Sequence, residues 1–322
     1  MGRNAEAQPR NAVVSADDSL ATAVKSSLSS GLEKLRAQED GAAVGDVESL
    51  HQLRVATRRL RASIDLFGSV LNGNQVRLWK RDLPWVAQAA GQVRERDIIA
   101  TLIRVRAAKI DPKLAESLGA AYQKLSVERS DRLHNFATVL QSERYQQMIN
   151  RLAHPVLRKG AEEQKLARSA ADILRPIASG AARAGEHLAA DAPPGAVHRA
   201  RVRVKRLRYG LELLAEFGGK RKRKALALLE ELQDQLGEFN DVIVTGGWLI
   251  EYGASADAPS ATALAAGALV QSLGKRQQKL AGRCLKTWRK YERSAIMRDT
   301  LGEIRRGGQI EEHASPASSD AA

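Results

Sequence analysis

The feature that most constrains this chain is an internal repeat. The segment HQLRVATRRLRASIDLF at 51–67 aligns without a gap with HRARVRVKRLRYGLELL at 198–214. His51 matches His198, Arg54 matches Arg201, Arg58 matches Lys205, Arg59 matches Arg206 and Arg61 matches Arg208. A second echo comes about forty residues after each histidine, with Ala90-Gly91-Gln92-Val93-Arg94-Glu95 facing Leu236-Gly237-Glu238-Phe239-Asn240-Asp241. Copies set about 147 residues apart account for the length of a 322-residue chain and predict two similar modules.

The repeated segments read as helices. At about 100° per residue, His51, Arg54, Arg58 and Arg61 share a narrow sector, while Leu53, Leu60, Ile64 and Phe67 gather roughly opposite. Arg59 points off to one side. In the second copy His198, Arg201, Lys205 and Arg208 share a face, and Ala200, Leu207, Leu211 and Leu214 form the apolar stripe. Leucines are expected to anchor each helix while a row of cations is displayed on its other side.

A charged helix face is ordinarily just solvated. Solvated faces, however, mix Glu with Lys at four-residue spacing, because like charges so placed repel by a few tenths of a kcal/mol. No acid lies between His51 and Arg61, and none lies between His198 and Arg208. Repetition of that pattern at matched positions points to an anionic partner that offsets the repulsion. Arginine predominates over lysine, and its guanidinium fork grips phosphate oxygens bidentately. Each histidine can add a donor, and bound phosphates would raise its pKa. Metal ligation is a weaker reading, since neither helix carries HxxxH or a carboxylate beside the histidine.

Helical periodicity dominates the whole chain, and all-α architecture is expected: two pseudo-symmetric four-helix bundles with long helices, produced by duplication. Breakers at Gly41, Gly45, Asn72-Gly73-Asn74, Asp111-Pro112, Pro193-Pro194-Gly195, Gly218-Gly219 and Ser255 to Pro259 separate the amphipathic runs. Asp111 before Pro112 has the form of an N-cap followed by proline at the first helical position. The halves are placed at 16–155 and 156–306, between a polar N-terminus (1–15) and a tail (307–322), both expected to be disordered. Aromatic residues make up only 4% of the chain, so Leu, Val, Ile and Ala must build the core.

Charge defines the class of partner. Lys and Arg number 51 against 37 Asp and Glu, a formal net charge of +14. A phosphate-rich polymer or an anionic membrane surface would suit it, and so would a soluble basic protein with no such partner. The lone Cys284 has no disulfide partner and reads as a buried apolar residue in a reducing compartment. With no signal-peptide core and no apolar run of about 18 residues, the protein is expected to be cytoplasmic and not membrane-spanning.

Other candidates remain open at this level. Lys220, Arg221, Lys222, Arg223 and Lys224 follow Gly219 and are placed to open a helix, where five cations oppose the macrodipole unless an anion sits there. They fit a secondary anion contact or a solvated loop equally well. Gly91 and Gly237 are expected where one helix gives way to another, with the following carboxylates capping helix starts or holding arginines extended. His134, His154, His187 and His313 lie outside the repeat and receive no role. No P-loop, paired metal-binding aspartates or activated nucleophile is recognisable, so catalysis, cofactors and metals are not expected.

HQLRVATRRLR and HRARVRVKRLRYGLELL, each followed by a G-x-x-[RN]-[DE] segment, together resemble the two halves of the CHAD domain, a helical domain named for its conserved histidines. The resemblance spans about residues 16–305. It implies paired four-helix bundles with a basic surface across them, non-catalytic binding of inorganic polyphosphate, and location at polyphosphate granules. Carried onto this chain, the binding residues are His51, Arg54, Arg58, Arg59, Arg61, His198, Arg201, Lys205, Arg206 and Arg208, with Arg94 as a secondary contact. Two departures stand out: Arg94-Glu95 replaces the Arg-Asp frequent in the family, and Asn240 stands where the first half has Arg94. Some family members are fused to a CYTH triphosphatase domain; this chain is expected to stand alone. The alternatives are a nucleic-acid-binding protein, though no zinc finger, RRM signature or aromatic platform is present, and an accessory or enzymatic protein of phosphate metabolism.

Overall fold

A computed structural model describes residues 15, 17–188, 193–214 and 219–314. The first segment of the chain holds α1 (Leu20–Arg36), α2 (Glu39–Ala43), α3 (Val47–Phe67), α4 (Gly73–Ala107), α5 (Pro112–Glu116), α6 (Gly119–Gln141) and α7 (Glu143–Ala153). The second holds α8 (Leu166–Gly185), α9 (Pro194–Leu213), α10 (Lys220–Gly253), α11 (Ser260–Arg293) and α12 (Ile296–Ala314). Among the described residues there are no strands, only the isolated bridges Ser19–Lys165 and Leu71–Leu157. The fold is all-α, as the periodicity predicts.

Local chemistry sets the helix starts. Ser19, Asp46, Asn72, Asp111 and Ser142 each accept a backbone N–H from the first turn that follows, satisfying donors that have no intrahelical partner. Pro112 sits at the start of α5 behind its Asp111 cap. Gly45 turns the chain from α2 into α3 with φ +85°, and a Cβ there would meet Leu133 at 2.6 Å. Its carbonyl accepts from Arg129 at 2.7 Å, and Arg129 also donates to Asp97 on α4 at 2.6 Å.

The helices of each segment pack mainly on one another, and the segments meet along α3 with α9 and α4 with α10. The apolar stripes behave as the helical wheel requires. Leu53, Leu60, Ile64 and Phe67 on α3 are buried, as are Ala200, Leu207, Leu211 and Leu214 on α9. They belong to one apolar cluster that runs through both segments rather than to two separate cores. Asp82, fully buried on α4, accepts hydrogen bonds from Arg81, Arg144 and Arg151 and ties α4 to α7.

Three expectations change. Gly91 and Gly237 are not helix junctions; they lie inside α4 and α10, helices of 35 and 34 residues. Packing along such long helices carries them past single glycines, each of which costs only about 1 kcal/mol. Of the two roles expected for the carboxylates near them, capping falls and holding arginines stands: Asp97 pairs with Arg94 and Arg129, and Glu238 pairs with Arg276. Finally, α12 continues to Ala314 instead of ending before Gly307, because buried Ile296, Thr300 and Ile304 dock its first turns and provide a nucleus to extend. Residues 315–322, residues 1–14 and Gly218 lie outside the described residues.

Close packing gives a test of the fold. A Cβ on Gly185, at the end of α8, would stand 1.8 Å from the Trp288 ring of α11, which is itself buried. Gly185→Ala should destabilise the protein by about 1–3 kcal/mol in urea or thermal unfolding. Gly274→Ala, on an exposed stretch of α11 with nothing within 4 Å, should instead stabilise by about 0.5–1 kcal/mol.

Candidate polyanion-binding cleft

The basic faces of α3 and α9 meet at one cleft of about 550 Å³. Arg54, Arg58 and Arg61 line it from α3, and His198, Arg201, Lys205 and Arg206 from α9. Pro84, Ala87 and Gln88 of α4 form a further wall, with Asp65 and Tyr209. The apolar undersides explain the arrangement: each helix is fixed by its leucine stripe, which turns the row opposite that stripe toward this cleft.

Crowding of like charge leaves a clear electrostatic signature. Burial, and then the charges of Arg58, Arg201 and Arg94, lower the Arg54 guanidinium to about 10, still charged at neutral pH. Lys205 is lowered to about 6 by burial, then by Arg201, Arg58 and Arg54. Arg201 and Arg61 are shifted down as well, first by burial. Asp241 of α10 is the acid that faces Arg54, Arg201 and Lys205, and burial raises its pKa against the pull of those cations. The Arg54 guanidinium carbon lies 4.0 Å from where a Cβ on Gly91 would be, so it passes close over α4, whereas the matching Gly237 has nothing within 4 Å.

Not every residue of the repeated row reaches the cleft. His51 is exposed at the N-terminal end of α3, beyond the α4 residues that wall the cleft, with Arg94 of α4 among its electrostatic neighbours. In the unliganded protein its imidazole sits below the usual value, through desolvation and then the Arg58 charge. Arg59 faces the other side of α3, into a cavity of about 20 Å³ shared with Lys34 of α1 and Glu212 of α9. Arg208 is spent internally: it donates to Gln233 at 3.0 Å, pairs with Glu212 at 2.7 Å and lies over the Tyr209 ring at 4.8 Å. Arg94 is held by Asp97 at 3.5 Å, beside the cleft rather than on its wall.

The block that opens α10 divides in two. Arg221 pairs with Glu303 of α12 at 2.9 Å, and Glu303 also accepts from the Gly219 N–H. Lys222 is buried, donates to the Leu214 carbonyl, and is lowered to about 8 by that burial. The anion required at this cationic helix start is thus partly supplied by α12. Lys220, Arg223 and Lys224 stay exposed.

Several cleft residues escaped the sequence reading. Pro84, Gln88 and Tyr209 carry no charge that would single them out, and of the two roles open to Asp241, capping a helix or holding arginines, its place beside Arg54 and Arg201 agrees with the second. Asp65 was visible as the acid four residues after Arg61, matched in the second copy by Glu212. Among the described residues, no three His, Cys, Asp or Glu side chains gather as metal ligands. No described helix is long and apolar enough to cross a membrane.

A family model for the CHAD domain matches residues 26–250, which takes in both repeat helices and both echoes. The chain belongs to the CHAD domain family. Within it, the crystal structure of the CHAD domain from the plant Ricinus communis is similar, with 25% identity and a TM-score of 0.60, covering 97% of this chain and 98% of that one. PptA from Streptomyces chartreusis is similar in fold, with 17% identity and a TM-score of 0.65, covering 85% of this chain and 99% of that one. No curated protein sequence matches. The family match is shorter than the 16–305 expected from the motifs, while the likeness to the plant CHAD structure extends over nearly the whole chain.

The depressed Lys205 makes the CHAD cleft a measurable liability in the unliganded protein. Between about pH 6 and the unfolded value of 10.5 the unfolded chain holds the extra proton, so stability rises with pH across that window and is lost as pH falls toward 6. Lys205→Met should therefore stabilise the free protein by about 1–4 kcal/mol at pH 6. The gain over wild type should shrink as the pH of the unfolding experiment is raised toward 10.

Proposed function

We propose that this CHAD protein binds inorganic polyphosphate in the cleft between α3 and α9 without turning it over, and that this binding locates it at polyphosphate granules. The observation that carries the reading is the convergence of Arg54, Arg58, Arg201 and Lys205, from two repeated helices, with the Asp241 carboxylate near Arg54, Arg201 and Lys205. Such mutual repulsion is offset when a chain with about one charge per phosphate lies along the row. Arginine forks suit phosphate oxygens, and a flexible linear polyanion needs no groove-reading element.

Nucleic acid fits less well. The aromatic residue on the cleft wall, Tyr209, is 5% exposed and has Arg208 over its ring, so it offers no base-stacking platform. Both oxygens of Asp65 on the cleft wall face cations, at 2.9 Å from Arg206 and 3.6 Å from Lys80, which supports a binding role for this carboxylate over a catalytic one.

A titration against long-chain polyphosphate tests the reading. Binding should fall linearly with log salt, losing roughly 10³-fold between 50 and 200 mM salt through counterion release. Joint charge reversal at Arg54, Arg58 and Arg201 should abolish retention on a polyphosphate column, and reversal of exposed Lys220, Arg223 and Lys224 should cost much less. Retention unchanged by the first reversal, or displacement by DNA or RNA at equal phosphate concentration, would overturn it. No phosphate should be released in the presence of magnesium; release that is lost on His51→Ala would assign an enzyme instead.

Protonation gives a second handle. Bound phosphates raise the pKa of Lys205 from about 6, so binding near neutral pH takes up a proton. Affinity should be greatest at and below pH 6 and decline as pH rises above it. Calorimetry in buffers of different ionisation enthalpy should report the uptake, and Lys205→Arg should remove it while keeping the charge.

A further inference from the structure

The surroundings of the two matched acids are not alike, although the repeat pairs them residue for residue. Asp65 corresponds to Glu212, Arg61 to Arg208, Arg206 to Arg59 and Ala62 to Tyr209. Glu212 holds Arg208 at 2.7 Å, and the space beside it, shared with Arg59 on the other side of α3, is only about 20 Å³. On the Asp65 side the cleft runs on into an adjoining space of about 130 Å³, which shares Arg61, Asp65, Pro84 and Arg206 with it and adds Lys80 of α4.

Asp65 stands at that junction. Its side chain is only 13% exposed, with Oδ2 2.9 Å from Arg206 Nε and Oδ1 3.6 Å from Lys80 Nζ. It also lies close enough to Arg61 to support that residue's charge against the repulsion of Arg206. One carboxylate thus sits among three cations drawn from α3, α4 and α9. Its oxygens are placed as those of a bound phosphate group would be, bridging a guanidinium and an ammonium.

We infer that Asp65 is an internal stand-in for a phosphate group that ends the anion track where the cleft meets this adjoining space, keeping Lys80 and Arg206 from engaging further phosphates and so limiting how much of a polyphosphate chain the protein grips. The inference rests on the polyphosphate reading of the same cleft. A polymer arriving from the Arg54–Arg201 centre meets the carboxylate beyond Arg61, where its own charge is repelled and the next cations are already occupied. Asp65 is on this account a specificity residue that sets the number of phosphates bound.

The test compares the full-length wild type with Asp65→Asn and Asp65→Ser, with and without Lys80→Ala, in titrations against long-chain polyphosphate and against tripolyphosphate. Each Asp65 substitution should tighten long-chain binding several-fold, with less gain for tripolyphosphate, and should steepen the log–log salt dependence by about one further phosphate. Lys80→Ala should cost several-fold more in the substituted background than in the wild type. A gain of equal size with and without Lys80 would be a general charge effect and would overturn the inference, as would unchanged affinity and slope. If neither Asp65 variant folds, the residue belongs to the fold and the inference falls. Failure of the wild type to bind polyphosphate would instead sink the functional reading itself.

Discussion

Everything about this molecule turns on repulsion among cations that the fold brings together. Arg54, Arg58, Arg201 and Lys205 lie around one cleft, and Lys205 is driven to a pKa of about 6 by burial and its neighbours. What holds them there is apolar. The stripes Leu53–Leu60–Ile64–Phe67 and Leu207–Leu211–Leu214 are buried in a cluster shared by both segments, and that burial outweighs the electrostatic cost of the opposite faces. Free α3 and α9 would separate; packed against α4 and α10 they cannot. The cleft is preorganised for negative charge because the core, rather than the ligand, has already brought the cations into place.

The same principle explains why some basic residues serve the fold. Arg208, Arg221 and the arginines around Asp82 all have carboxylate partners, and where a partner exists the charge is consumed locally. A surplus of basic residues over acidic ones is therefore a property of the chain, whereas the surplus at the cleft is a property of where carboxylates fall. The asymmetry between Asp65 and Glu212 illustrates it. Both are acids four residues after a matched arginine, yet Glu212 borders a space of about 20 Å³ and Asp65 one of about 130 Å³ that adjoins the cleft.

Much of the fold was legible because helices are local. Periodicity placed α3 and α9 and their buried faces, and the caps at Asn72 and Asp111 could be read from residue type. The candidate site was legible in part: Arg54, Arg58, Arg61, His198, Arg201, Lys205 and Arg206 came from the repeat and line the cleft. His51, Arg59 and Arg208 came from the same repeat and do not, because a helical wheel gives direction about an axis but no neighbour. Gly91 and Gly237 misled for a related reason. A glycine marks a helix end only when tertiary packing does not carry the helix through it, and α4 and α10 are carried.

The sequence by itself determined the helical class, the repeat, the buried stripes and the presence of two cationic faces, since all of these follow from residue type at 3.6-residue spacing. Only the tertiary structure decided that the two faces share one cleft, that Glu303 receives Arg221, and that Asp65 rather than Glu212 lines that cleft. Those outcomes depend on contacts between residues far apart in the chain. Charge pairing acts over a few ångströms in space, and spacing along a sequence does not record which carboxylate arrives within that distance.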